Sequence, residues 1–345
     1  MQATAQDDQN QANRLLAKLT RELGLVVLAA MADGRTEDIV CNPDSNLWVK
    51  RSGEDFHLAG AIGRIEVEAL IGTAATMCGA VINRDNPILQ TVLALDGSRF
   101  EGVVPPVARQ ASFAIRVRSS HAITLDDYET GGVITHKNDP LNYWRAAEDR
   151  ARFAEEIRGW PHRAIIERAI SLRKNILVVG ATGSGKTTLL NALLASVALN
   201  TPGDRVISIE DTPELQCRVA NYLDLQAVGK ISMLECLRAS MRLKPTRIVV
   251  GEVRGGEAHT LLKAWNTGHP GGLGTIHANS ALLGLTRLES LIAEATDAPQ
   301  QRLIADTIDL VVFIDQESSL AAGRKIRELL VVTGWRDGQY EVQHV

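Results

Sequence analysis

Eight consecutive residues, Gly180-Ala181-Thr182-Gly183-Ser184-Gly185-Lys186-Thr187, match the pattern Gly, four residues, Gly-Lys-Thr without a mismatch. Glycines at these places let the backbone curl so that successive N–H groups point inward at phosphate oxygens. A helix beginning at the lysine adds the positive end of its dipole. Gly180 to Thr188 are therefore the candidate nucleotide-binding residues. Lys186 is expected on the β- and γ-phosphates and the Thr187 hydroxyl on Mg²⁺. Hydrolysis needs carboxylates as well, and two short apolar runs end in them. Val206-Ile207-Ser208-Ile209 leads into Glu210-Asp211, and Ile248-Val249-Val250-Gly251 leads into Glu252. A third run, Gly272-Leu273-Gly274-Thr275-Ile276, ends on His277. A histidine there is open to two readings, a hydrogen-bonded structural residue or a member of the site.

These groups meet only if the strands that carry them lie side by side. Asn175-Ile176-Leu177-Val178-Val179 is a β-branched run in front of the glycine loop, and Thr188 to Leu194 is apolar at helical spacing behind it. From Asn175 onward, short apolar strands alternate with helical segments, the signature of a mostly parallel sheet with crossovers. The carboxyl ends of such strands open on one crevice. The chain closes with a hairpin expected to turn at Asp337-Gly338. Earlier, Leu15, Leu16, Leu19 and Leu23 share one helical face, read as core packing. Asp38 to Val49 reads as strand, turn, strand, and Ile62 to Met77 as a helix. Pro87 to Leu93, Ser98 to Val104 and Ser112 to Arg118 read as strands, the first two joined at Leu95-Asp96-Gly97. The fold class expected is α/β, a P-loop nucleotide-hydrolase domain with a mostly parallel sheet over 161–345, behind a smaller α+β domain over 13–123. Residues 1–12 are expected as a disordered tail. Residues 124–160, rich in charge and containing Gly131-Gly132 and Asp139-Pro140, are expected as a linker and hinge.

With 345 residues, 45% of them hydrophobic, the chain has material for two domains. A net charge of -4 and a pI near 6.1 provide no global basic field, and aromatics make up only 4%. Both argue against direct nucleic-acid binding. Cys41, Cys78, Cys217 and Cys236 are scattered without metal spacing and read as reduced thiols of a cytoplasmic protein. The opening residues are polar and acidic, unlike a signal peptide, and the apolar stretch Gly24 to Ala32 is too short to span a bilayer.

Four stretches in this order, the glycine loop, Ile209-Glu210-Asp211-Thr212-Pro213-Glu214-Leu215-Gln216, Gly251-Glu252-Val253-Arg254-Gly255-Gly256-Glu257-Ala258 and Asn266 to Ser280, resemble the Walker A, Asp box, Walker B and His box of the secretion ATPase superfamily. These are the traffic ATPases of type II and type IV secretion, and the likeness lies nearest the conjugal-transfer TrbB type. Ile39 to Gly53 and Leu95 to Arg118 look like that family's N-terminal domain. The resemblance implies a RecA-like ATPase domain and ATP with Mg²⁺ as ligands. Glu210 would be the base that polarises water, and Glu252, carried where Asp is more usual, would act at Mg²⁺ and the γ-phosphate. His277 would sense the γ-phosphate. It implies Arg116 as a cation reaching the phosphates from the N-terminal domain. Arg254 is a second candidate, with a plain salt bridge as its alternative.

The resemblance further implies a homohexameric ring that docks on inner-membrane channel proteins of a type IV apparatus. The expected place is the cytoplasmic face of the inner membrane. The expected function is a Mg-dependent ATPase motor for pilus assembly or substrate transfer in conjugation. A ring helicase or DNA translocase acting on single-stranded DNA is the alternative enzyme. A nucleotide-binding scaffold is the non-enzymatic one, disfavoured because Lys186, Glu210 and Glu252 are all intact.

Overall fold

The computed structural model describes residues 2–119, 124–134 and 141–345, with side chains described from Asn10 and, in the helix that starts at Leu141, from Asp149. Its α/β chain divides into two compact units, and the division does not fall at one point in the sequence.

The first unit opens with helix α1 (Gln2–Ala32), interrupted at Gly24, which has φ 72°. The helix takes in residues of the stretch expected as a tail. Strands β1 (Thr36–Cys41), β2 (Asn46–Arg51) and β3 (His57–Ala61) follow, then α2 (Arg64–Met77), β4 (Ile88–Val92), β5 (Arg99–Val103) and β6 (Ser112–Arg116). The six strands form one antiparallel sheet in the order β3-β2-β1-β6-β5-β4. Half of the expected leucine stripe of α1 packs as core, since Leu19 and Leu23 are buried while Leu15 and Leu16 are only half-buried. Leu19, Leu23 and Val27 are buried with Leu70 and Ile71 of α2 and with Ile39, Leu47, Phe100 and Phe113 of the sheet. β3 lacks an expected counterpart, because His-Leu-Ala-Gly-Ala has neither β-branched residues nor a polar/apolar alternation.

One carboxylate in this sheet is unusual. Glu101 on β5 is buried, its Oε2 has no hydrogen-bond partner among the described residues, and burial pushes its pKa up to about 8 against the pull of Arg242. Because the folded value lies above the unfolded one, the stability tied to its protonated form is fully present below the ordinary glutamate range. It is lost as pH rises through 8. Glu101→Gln should therefore leave denaturant-measured stability nearly unchanged near pH 4.5 and raise it at pH 9 by on the order of 5 kcal/mol. A pH-independent difference would contradict the assignment.

The second unit begins, among the described residues, with α3 (Leu125–Thr130), α4 (Leu141–Glu156), α5 (His162–Ser171), β7 (Ile176–Val179), α6 (Lys186–Asn200) and β8 (Val206–Glu210). Next in sequence, β9 (Tyr222–Gln226) and α7 (Met233–Arg242) group with the first unit, as do residues 203–205 and the rest of 221–245. This departs from a single domain over 161–345. The cause is a buried polar knot. Arg205, fully buried, donates to the Leu243 carbonyl and to the Oδ1 atoms of Asn42 and Asn221, and Asn42 Nδ2 donates to Asn221. A buried guanidinium must be satisfied locally, so it gathers these distant segments.

The chain continues with β10 (Arg247–Val250), α8 (Glu257–Asn266), β11 (Leu273–Ile276), α9 (Ala281–Ile292), α10 (Gln301–Thr307), β12 (Leu310–Gln316), β13 (Arg324–Arg336) and β14 (Gln339–His344). The strands of the second unit run β14-β13-β12-β7-β11-β10-β8. From β12 to β8 every neighbour is parallel, and β12-β13-β14 is antiparallel. β7, β10 and β11 are buried at every residue, which explains their continuous apolar character. The last hairpin turns at Asp337 and Gly338, both at positive φ, as the Asp-Gly pair requires.

Within the stretch expected as a linker, 124–160, several side chains are core. Phe153, Ala154 and Ile157 are buried, and Arg150 Nε donates to Asp309 Oδ1 at 3.2 Å. The end of α4 therefore belongs to the core of the second unit, its apolar positions spaced one turn apart among charges. Residues 135–140, which include Asp139-Pro140, lie outside the described residues.

Candidate nucleotide site

Strand register decides which residues meet. Val179 pairs with Ile276, Gly274 with Val250, and Val250 with Ile209. One step past those pairs stand Gly180, His277, Gly251 and Glu210, with Glu252 beyond Gly251. The sheet edge is held by short polar bonds. Thr275 Oγ1 donates to the Gly251 carbonyl at 2.7 Å, and the Val253 N–H donates to the Thr275 carbonyl at 2.9 Å. At the other end of β7, Asn175 Nδ2 donates to the Thr307 carbonyl, and its Oδ1 accepts from the Gly272 N–H, both at 2.8 Å.

The glycine loop has the shape the sequence demands. Gly183 and Gly185 sit at φ 77° and 95°, left-handed conformations that a side chain would strain, and α6 starts at Lys186. Ser184 Oγ is buried without a hydrogen-bond partner among the described residues. An orphaned hydroxyl in a glycine turn directly ahead of a helix N-terminus fits an anion with oxygen acceptors. Lys186 is buried, and its Nζ lies 3.0 Å from the Ala181 carbonyl and 3.1 Å from His277 Nδ1. Burial lowers its pKa, and the Glu252 charge opposes that shift.

From the lysine a continuous polar chain runs outward. His277 Nε2 is 2.8 Å from Glu252 Oε1, Arg254 Nη2 donates to Glu252 Oε2 at 2.8 Å, and Arg254 Nη1 donates to Asp211. Burial raises the Glu252 pKa, but the Arg254 hydrogen bond, with the charges of His277, Arg254 and Lys186, outweighs it and holds the carboxylate below its ordinary range. Glu210 is buried beside Gly251, and its Oε1 accepts the N–H groups of Glu214 and Leu215 at 2.9 Å each. It thereby holds the loop that follows β8.

Lys186, His277, Glu252 and Arg254 are thus one connected group, with Glu210 on the adjacent strand. Arg116 belongs to the first unit, 3.8 Å from Asp38, in a cavity it lines with Arg99, Arg118 and Lys244. Two further residues, outside every motif, stand beside the loop. Arg324 Nη1 donates to Thr188 Oγ1 at 3.1 Å, and Gln316 Nε2 approaches Gly183. Neither lies in a motif, and only the β12–β13 pairing reveals them.

Fold and site together define a P-loop nucleotide-binding unit with its acidic groups at the ends of parallel strands. The description "Type II/IV secretion system protein" matches residues 161–321. The chain is 39% identical to the conjugal transfer protein TrbB of Rhizobium radiobacter, over 96% of this chain and 94% of that one. It is 31% identical to the type IV secretion system protein PtlH of Bordetella pertussis, over 87% and 90% of the two chains. Among solved structures, it is similar to the VirB11 ATPase from the Brucella suis type IV secretion system in complex with sulphate. That match has TM-score 0.81 and 26% identity, and covers 93% of this chain and 96% of the other. The chain belongs to the type II/IV secretion system family of ATP-hydrolysing traffic ATPases.

Proposed function

We propose that this chain is the Mg-dependent ATPase motor of a conjugative type IV secretion apparatus, a RecA-like unit that works as a homohexameric ring and powers pilus assembly or substrate transfer. The observation that carries the proposal is the unbroken path from the glycine loop through Lys186 and His277 to Glu252. Lys186 would bind the β- and γ-phosphates, giving up its contact with the Ala181 carbonyl for a charged acceptor. The orphaned Ser184 hydroxyl and the loop N–H groups would hold the remaining phosphate oxygens. Glu210, pinned through one oxygen, would use the other to take a proton from water. His277, between Lys186 and Glu252, would register whether the γ-phosphate is present.

The Thr187 hydroxyl and the Glu252 carboxylate are hard oxygen donors of the kind Mg²⁺ takes alongside substrate phosphates. The ion would neutralise charge on those phosphates. Arg116 and Arg254 are the proposed cations for transition-state charge, Arg254 by exchanging its Asp211 partner for phosphate. No helix among the described residues is long and apolar enough to cross a membrane. The proposed site of action is the cytoplasmic face of the inner membrane, docked on channel proteins there.

The test follows phosphate release from MgATP by the full chain across a concentration series, with its size measured by sedimentation at each point. Turnover per chain should rise as the ring assembles and stop when EDTA removes the metal. A monomer that hydrolyses at the full rate would refute the ring as the working form.

A further inference from the structure

The glycine loop has two flanks, and the proposed hydrolysis machinery occupies only one. β11 and β10, with His277 and Glu252, lie on one side of β7, and β12 and β13 lie on the other. β12 pairs with β7 through Phe313↔Val179 and then continues for three residues, Ile314 to Gln316, alongside the loop. Gln316 pairs with Arg324, the first residue of β13. The consequence is close contact along the loop's second flank. A Cβ built on Gly180 would meet the Ile314 carbonyl, one on Gly183 would lie 3.5 Å from Gln316 Nε2, and one on Gly185 would lie 2.8 Å from Arg324 Cδ.

Arg324 is held there by neutral oxygens. Its Nη1 donates to Thr188 Oγ1 at 3.1 Å and its Nε to the Ala322 carbonyl at 3.2 Å. Among the described residues no carboxylate lies within ion-pairing distance of it. A guanidinium bound only to neutral acceptors, beside a loop that collects phosphate oxygens, gains a charge-assisted bond when a polyphosphate arrives.

We infer that Arg324 is a nucleotide-binding residue, contacting the phosphate nearest the nucleoside in both ATP and ADP. The inference rests on the nucleotide site proposed above. The direction follows from the flanks. With the terminal phosphate drawn toward Lys186, His277 and Glu252, the nucleoside end of the chain falls toward β12 and β13. A contact to that end is made equally before, during and after cleavage, so it contributes uniform binding and leaves the chemical step alone.

The experiment measures binding of fluorescent ADP and ATP analogues, steady-state KM and kcat, and melting temperature with and without ADP, for wild type, R324A and R324K. R324A should weaken ADP and ATP by similar factors, about tenfold or more, and raise KM with kcat within about twofold of wild type. R324K should recover most of the affinity. Melting without nucleotide should match wild type, and the rise on adding ADP should shrink. Wild type that binds no nucleotide would sink the proposed function itself. Wild type that binds normally while R324A binds equally well overturns this inference alone. A loss confined to ATP or to kcat, or a lower melting temperature with the ADP-induced rise intact, overturns it too.

Discussion

Lys186→Ala is expected to abolish turnover while leaving a folded protein. The lysine is the one buried cation of the loop, and a preorganised positive charge at the phosphates contributes a factor on the order of 10³ to the rate. Its partners in the free protein are one carbonyl and one imidazole nitrogen. Removing it leaves His277 still held through Nε2 by Glu252, so the strand ends keep their arrangement. The measurement is phosphate release with saturating MgATP, alongside circular dichroism and a melting curve. A folded variant with wild-type turnover would remove Lys186 from the mechanism and with it the proposed role of the glycine loop.

Glu210→Gln should produce a protein that binds ATP and does not cleave it. Oε1 of Glu210 accepts two backbone N–H groups, and the amide oxygen of glutamine can accept the same two, so the loop from Asp211 to Leu215 keeps its place. What is lost is the second oxygen as a proton acceptor, and general bases contribute about 10² to 10⁴ in rate. Glu210→Ala should behave differently. It orphans two amide groups and costs about 1–3 kcal/mol in stability besides activity. Equilibrium binding of ATP with single-turnover hydrolysis separates the two effects. If the glutamine variant releases phosphate normally, the base is Glu252, and the same experiment on Glu252→Gln should then show the block.

The glycine loop, the two acidic strand ends and the terminal hairpin at Asp337-Gly338 were legible because each is local. Positive φ at Gly183, Gly185 and Gly338 is a demand that the residue itself meets. His277 stayed ambiguous, since one histidine at a strand end has no neighbours in a sequence. It acquires meaning only from Lys186 at 3.1 Å and Glu252 at 2.8 Å, separated from it by tens of residues. For Arg254 the sequence leaves two roles open, a cation at the phosphates or a plain salt bridge. It sits between Asp211 and Glu252, and its 60% side-chain exposure leaves that pairing open to exchange.

Taken alone, the sequence determined the chemistry this protein has available and the strands that carry it, because turn geometry and apolar periodicity are properties of neighbouring residues. The tertiary structure alone decided the order of strands, and so which charges share a crevice. It put Arg324 against Thr188 and gathered residues 203–205 and 221–245 around Arg205. Both outcomes depend on long-range pairing and on satisfying a buried cation, and neither requirement leaves a periodic mark along the chain.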